Sequence, residues 1–255
     1  MRCSTQMIEF HSSPQPTVGV EIELQLIDNS TFDLKNIASQ VLAEVDEQYL
    51  SRIKFELFDS MIEINTNICD SVDEVSSDIK QTLHYLEEIL KKYNATTNCS
   101  SIHPFASGKN QVVTDDARYR RIMQDLQIIG TRFITQGLHV HIGVDGREKV
   151  IKVNNALRTY LPLLLALSTS SPFYEGEDTG LYSYRTKIFE SLPLAGLPDY
   201  LNDWDHFTKL ADNLMKANII ESVKDLWWEI RPHPGFGTVE VRICDIPTNF
   251  KEILA

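Results

Sequence analysis

The hydrophobic positions of this chain follow two periods. Apolar residues alternating with polar ones predict half-buried strands; apolar residues every three or four positions predict amphipathic helices. TVGVEIELQLID, residues 17–28, alternates and predicts a strand. Residues 36–50 predict a helix. RIKFELFDSMIEINTN, residues 52–67, predicts two short strands joined by a turn near Asp59 and Ser60. Ser71, with Glu74 three residues on, fits a capping box. Val72, Val75, Ile79, Leu83, Leu86, Leu90 and Tyr93 then recur at helical spacing. ATTNCSSIH, residues 95–103, returns to strand, and residues 115–130 predict a helix. A long helix over 147–170 is kinked or interrupted at Pro162. SPFYEGEDTGLYSYRT, residues 171–186, is a loop, and another helix lies within 203–218. LWWEIRPHPGFGTVEVRICD, residues 226–245, predicts a hairpin with Pro232, Pro234, Gly235 and Gly237 in its connection. IPTNFKEILA opens a further helix, whose pattern predicts continuation beyond Ala255.

The strand GLHVHIGVDG, residues 137–146, raises a question. Leu138, Val140, Ile142 and Val144 alternate with His139, His141 and Gly143. Successive side chains of a strand point to opposite faces, so both histidines share one face. A solvated strand face can carry two histidines by accident. Three other stretches repeat the arrangement. Glu21 and Glu23 oppose Val20, Ile22 and Leu24; Glu63 opposes Ile62 and Ile64; Glu240 and Arg242 oppose Val239, Val241 and Ile243. Any one of these glutamates, taken alone, is more often a plain surface residue. Four such strands side by side would crowd carboxylates until they repel or one takes up a proton. A divalent cation removes that conflict. Carboxylates with few imidazoles and no thiols suit Mg²⁺ or Mn²⁺ better than zinc.

Composition narrows the classes. The 255 residues carry a net charge of −12 and no strong basic patch, which argues against nucleic acid as a partner. The size and the absence of a low-complexity linker predict a single domain, 1–255. The 4 cysteines include no CxxC pair, against a disulfide framework or a structural zinc. No secretory signal is visible at the N-terminus, and LPLLLAL, residues 161–167, is too short to span a bilayer. A cytoplasmic protein without membrane contact is expected. Neither G-x-x-x-x-G-K-[ST] nor G-x-G-x-x-G occurs, so any nucleotide would be held through metal ions and arginines. Arg185, Arg231 and Arg242 are the candidates. For Arg231 a surface salt bridge is the plain alternative. A truncated, non-catalytic module that binds nucleotide is one rival reading, and a metal-dependent hydrolase built on His139 and His141 is another. The hydrolase needs later ligands, and His206 and His233 are both expected in loop or helix.

Five motifs in order, VGVEIELQLID, GLHVHIGV, LPLLLALSTSSPFYEGEDTGLYSYRT, LPLAGLP and WWEIRPHPGFGTVEVRICD, closely resemble the bacterial carboxylate–amine ligase family, also called glutamate–cysteine ligase type 2. The family is similar in fold to glutamine synthetase. The resemblance implies an α+β fold: a curved antiparallel sheet with the site on its concave face and helices on the convex one. It implies ATP, Mg²⁺ (or Mn²⁺) and an acyl phosphate made from glutamate, with cysteine or another amine as the acceptor. It implies glutathione biosynthesis as the setting and a homodimer as the family's habit. By that likeness Glu21, His139 and Glu240 would hold one metal. Glu23 and Glu63, with Glu56, would hold the other. Arg242 and Arg231 would face the phosphates, His141 would lie near ATP, and Arg185 would meet a substrate carboxylate. The family often has a third acid between the paired glutamates; here it is Ile22, pointing to the core.

Overall fold

The computed structural model describes residues 8–255. Its frame is an antiparallel sheet of seven strands. The central strand β1, Val18–Asp28, is followed by a short helix α1, Ala38–Leu42. Then come strands β2, Ile53–Phe55, and β3, Met61–Asn65, and the long helix α2, Val72–Leu90. Strand β4, Ala95–Asn98, helix α3, Ala117–Leu126, and strand β5, Leu138–Gly143, come next. Helices α4, Arg147–Arg158, and α5, Leu161–Ser168, lead to a two-stranded ribbon of β6, Phe173–Tyr174, and β7, Glu177–Asp178. Helices α6, Arg185–Phe189, and α7, Trp204–Lys216, precede the hairpin of β8, Ile230–His233, and β9, Thr238–Val241. Helix α8, Phe250–Ile253, is last. None of the described helices is long and apolar enough to cross a membrane.

The main strand order is β2-β3-β1-β5-β9-β8, with β4 also on β1. β1 pairs with β3 over Glu21–Gln25, with β5 over Val18–Ile22 and with β4 over Gln25–Asp28. Glu21 and Gln25 each have a partner on both sides, so β4 and β5 share one edge of β1. The alternation seen in the sequence is realised on each strand. Val20, Ile22, Leu24, Leu26, Ile62, Ile64, Val239 and Val241 enter the main core, together with Val75, Ile79 and Leu86 of α2 and Val150 and Ile151 of α4. Helices cover that face, and the opposite face stays polar. A second apolar cluster, including Leu57, Met61, Phe133, Ile134 and Ile188, walls one end of the polar face.

Local chemistry explains where elements begin and stop. Ser71 accepts from the Glu74 N–H at 3.2 Å and starts α2. The Glu74 carboxylate reaches one residue further back than a capping box requires, taking the Asp70 N–H at 2.8 Å. The helix expected over 36–50 is shorter. Asp59 caps α1 through the Ser39 N–H at 2.7 Å, and the chain breaks at Asp46, whose extended backbone gives its N–H to the Tyr85 hydroxyl. The helix expected over 115–130 ends at Gln127, which takes a positive φ of 51°. The interruption at Pro162 falls where expected, between α4 and α5, with proline in the first turn of α5. Pro232, expected in the hairpin connection, lies within β8. That strand ends the sheet, so a missing N–H costs no ladder bond.

Candidate active site

Register decides which polar side chains meet. Lys54, Glu63 and Glu23 lie in one cross-strand row, because Lys54 opposes Glu63 and Glu63 opposes Glu23. Glu21 opposes His139. His141 opposes Glu240, which opposes Arg231. Directly opposed residues share a face with Cβ atoms about 5 Å apart. The polar face is therefore a continuous surface across six strands. It floors a cleft of about 330 Å³ lined by Glu21, Glu23, Glu56, Glu63, Glu240 and Arg242, with Met61, Phe133 and Trp227 among its apolar walls.

Two groups of potential metal ligands form on this floor: Glu21 with His141 and Glu240, and Glu23 with Glu56 and Glu63. Within each, ligand atoms lie within 4.8 Å of one another. The second group is the set expected from sequence. The first differs in its histidine. The resemblance implied His139 here and His141 near the nucleotide; the side chains bring His141 into the group instead. Glu21 explains the exchange, since it lies opposite one histidine and diagonal to the other. Its Oε2 stands 3.2 Å from His139 Nδ1 and its Oε1 3.3 Å from His141 Nε2. His139 then points its Nε2 toward Glu23, 3.8 Å away, between the two groups.

The two groups differ in charge balance. Burial disfavours the charge on Glu21, but hydrogen bonds with His139 and His141 outweigh it and hold its carboxyl well below the usual range. Burial likewise opposes the charge on Glu240, and Arg231, Arg242 and His141 overcome it. In the second group nothing wins back the loss. Burial pushes Glu23 up to about 7, with Arg185 pulling down and Glu63 pushing up. Burial, Glu23 and Glu63 raise Glu56 well above its ordinary value. Burial and Glu21 raise Glu63, although Asn65 donates to it at 2.6 Å.

A divalent cation fits both sets by their chemistry. His141 gives Nδ1 a partner in the Thr238 hydroxyl at 2.9 Å, which turns its Nε2 toward Glu21 Oε1, 3.3 Å away inside the group. That is how an imidazole is oriented to present a lone pair to a metal. Three half-buried carboxylates, each shifted upward by desolvation and a neighbouring carboxylate, need a cation to ionise together. Oxygen donors with one imidazole and no thiol match Mg²⁺ or Mn²⁺.

The arginines fall into different places. Arg231 donates Nε to Glu240 Oε2 at 2.6 Å and Nη2 to Oε1 at 3.1 Å. Its Nη1 faces the carbonyls of Leu226 at 2.8 Å, Lys224 at 2.9 Å and Val223 at 3.4 Å. Arg242 pairs with Glu240 through Nη1 alone and lines the cleft. Arg185 does not line the cleft. Its guanidinium is buried, donating to the carbonyls of Ile243 at 3.2 Å and Arg242 at 3.3 Å and lying over the Phe189 ring. The resemblance implied that it meets a substrate carboxylate; here it lies beside the cleft, against Phe189 and the end of β9, and its charge lowers Glu23. Gly137 makes this possible, because a Cβ there would collide with the Arg185 guanidinium and His139 Nε2. The Gly137 N–H meanwhile donates to Glu23 at 2.6 Å.

Asp245 was not singled out from sequence. It is fully buried and accepts from the Ser170 N–H at 2.9 Å and the Ser171 and Ser183 hydroxyls at 2.7 and 3.0 Å. It ties the 170–185 loop to the end of β9, where Arg185 docks. Its signal was its place at the end of the strand motif, EVRICD. His233, expected in a loop or helix, lies in β8 with its ring stacked on Phe236 and 5.6 Å from His141. Burial lowers it to about 4. It belongs to neither ligand group, and His206 lies in α7. The further histidine ligands a hydrolase needs are not assembled among the described residues.

Fold and site together define a class: an antiparallel sheet, helix-backed, with two carboxylate groups on its open face. Solved structures resemble it in fold. A glutamate–cysteine ligase from Francisella tularensis, in complex with AMP, aligns with TM-score 0.66 at 14% identity over 92% of this chain and 62% of that one. A bifunctional glutathione synthetase from Pasteurella multocida aligns with TM-score 0.63 at 15% identity over 94% of this chain and 37% of that one. At such identities the likeness establishes the fold. The family model for glutamate–cysteine ligase family 2 matches residues 17–255, and the chain belongs to that family. Provisionally named members include a glutamate–cysteine ligase 2-1 of Frankia alni, 43% identical over 94% of this chain and 64% of its own length. One from Thermobifida fusca is 42% identical over 94% of this chain and 62% of its own. The chain thus spans a little under two thirds of the length of these relatives.

Proposed function

We propose that the chain is the catalytic domain of an ATP-dependent carboxylate–amine ligase that joins the γ-carboxylate of L-glutamate to the amine of L-cysteine. The observation that carries this reading is the pair of carboxylate groups sharing one cleft with Arg242. Family membership supports ligase chemistry, and the AMP bound to the Francisella enzyme supports an adenine nucleotide.

The chemistry has two steps. A glutamate γ-carboxylate oxygen attacks the γ-phosphorus of ATP, the bond to the β-phosphate oxygen breaks, and ADP leaves. The amine nitrogen then attacks the acyl carbon of γ-glutamyl phosphate. The carbon–oxygen bond to phosphate breaks, inorganic phosphate leaves, and the nitrogen loses a proton. Divalent cations, when bound, supply neutralisation of the phosphate oxygens. Glu21, His141 and Glu240 would hold one, and Glu23, Glu56 and Glu63 the other. Arg242 has a single partner on the floor and can turn to an incoming anion. Arg231, held on Glu240 and three carbonyls, keeps that carboxylate aimed. His139 spaces the two groups. Positioning and charge neutralisation are the main contributions expected of a protein in phosphoryl transfer.

The test is ADP release with Mg²⁺, ATP and L-glutamate, first with L-cysteine and then with other amines. ADP made only with cysteine, and γ-glutamylcysteine found by mass, is the expected result. ADP made only with another amine would keep the mechanism and replace the acceptor. No ADP with any acceptor, from a chain shown to bind Mn²⁺, would overturn the ligase reading.

A further inference from the structure

The three carbonyls that hold Arg231 Nη1 come from one short turn, residues 223–226. A free turn of this length has no reason to aim three carbonyls at one point. Here Asp225 sets the turn. Its carboxylate accepts from the Glu221 N–H at 2.9 Å and the Ser222 N–H at 3.2 Å, while the Ser222 hydroxyl accepts from the Lys224 N–H at 3.2 Å. This reciprocal cap fixes both ends of the turn. The Asp225 N–H donates to the Ser222 carbonyl at 3.0 Å, and the Leu226 N–H to the Val223 carbonyl at 3.3 Å. Arg118 and Arg121 of α3 stand 3.7 and 3.8 Å from the same carboxylate. Lys224, inside the turn, and Arg118 both line the cleft.

The consequence runs inward. The carbonyls of Val223, Lys224 and Leu226 leave Arg231 one orientation. In that orientation its Nε and Nη2 meet both oxygens of Glu240, a two-point grip that fixes the plane of the carboxylate. We propose that Asp225 is a positioning residue: through the 223–226 turn and Arg231 it sets the Glu240 carboxylate for the cation held with Glu21 and His141. This rests on the metal reading of that group. Arg242 has no comparable carbonyl partners, so the two arginines divide the work, Arg231 fixed and Arg242 free to leave.

The test compares Asp225→Ala with Asp225→Asn in the full chain. Asparagine keeps a carbonyl oxygen for the two N–H groups, whereas alanine keeps none. Glu221→Gln is the control: that side chain is 73% exposed and pairs with Arg121 of α3, and the turn itself uses the residue's backbone N–H, which the substitution keeps. Mn²⁺ binding is followed by electron paramagnetic resonance. The class of site that Glu21→Gln abolishes is expected to weaken about tenfold in Asp225→Ala, the effect typical of losing an outer partner of a metal ligand. It is expected to stay within threefold of wild type in Asp225→Asn and unchanged in Glu221→Gln. The class that Glu56→Gln weakens is expected unchanged throughout. In metal-free protein the Arg231 Nε–H resonance, assigned by its loss in Arg231→Lys, is expected to be sharp and slow to exchange in wild type and broadened in Asp225→Ala. Wild-type Mn²⁺ affinity in a folded Asp225→Ala chain, or equal weakening of both classes, would overturn the proposal. Should Asp225→Ala not fold, a tenfold loss in Asp225→Asn with its Arg231 resonance unaltered would do so. Normal Mn²⁺ binding without ATP turnover would count against the ligase reading and leave this inference standing.

Discussion

The two carboxylate groups lie side by side on one sheet and solve opposite problems. Glu21 and Glu240 carry charge because imidazoles and two arginines already surround them. Glu23, Glu56 and Glu63 have too little positive charge nearby to offset burial, although Lys54 stands 3.8 Å from Glu63. The first group is ready to bind before any ion arrives. The second becomes ionised as an ion arrives, so its cation must compete with protons. Similar side chains on similar strands thus hold opposite balances, set by which neighbours the register supplies.

Breaking the first group has the largest expected effect. Glu240→Gln removes the shared partner of Arg231 and Arg242 and leaves two guanidinium groups without a counter-charge. Loss of a buried partner typically costs about 3–5 kcal/mol. Turnover is expected to fall to background, and Tm by roughly 6–20 °C for a domain of this size. Wild-type-like ADP formation would remove Glu240 from the metal site. Glu56→Gln sharpens the comparison by reversing the sign. In metal-free protein at pH 8 it relieves repulsion and is expected to raise stability by on the order of 1 kcal/mol, the scale of a single pKa unit. A melting curve unmoved or lowered would mean the second group is not strained.

Gly137→Ala tests the link between the groups. Its Cβ would press on Arg185 and His139 together. Overpacking of this kind costs about 1–3 kcal/mol. Glu23 is expected to lose its N–H partner geometry, weakening the second cation more than the first.

The pH dependence should be smaller and two-sided. The folded pKa of Glu23, about 7, lies above the unfolded carboxylate value, so the fold favours the protonated form. That contribution is full below about 4.5 and is lost as pH rises through about 7. Glu21 and Glu240 have depressed values, and their contribution, present above about 4.5, is lost as pH falls. His139, lowered to about 4 by burial and Arg242, adds to the acid-side loss between about 6.5 and 4. The stabilisation conferred by Mg²⁺ should therefore be larger at pH 8 than at pH 5.5. Equal gains at both would contradict the charge balance given to the second group.

Much of the site was legible in the chain. Alternation placed Glu21, Glu23, Glu63, His139, His141 and Glu240 on one face because a strand's side chains obey a period of two regardless of their partners. Which histidine joins Glu240 was not legible, since the stagger between β5 and β9 is a property of pairing. Arg185's surroundings were not legible for a similar reason: only the folded chain shows it against Phe189 and the end of β9. Asp245 bonds Ser170, Ser171 and Ser183, more than sixty residues away, and no spacing marks such contacts; Asp225 caps its own turn, but its link to Glu240 through Arg231 exists only in the folded chain. The short α1 was misread because the Asp59 cap and the Tyr85 hydroxyl, both distant in sequence, override a helical pattern.

The most direct measurement is equilibrium Mn²⁺ binding at pH 8 and at pH 5.5. Two ions per chain are expected at pH 8, one for each group. At pH 5.5 the ion at Glu23, Glu56 and Glu63 should be displaced by protons while the one at Glu21, His141 and Glu240 remains. The same stoichiometry and affinity at both pH values, or no Mn²⁺ bound at pH 8, would contradict the central claim that this sheet face is built as one prepared and one proton-competed cation site.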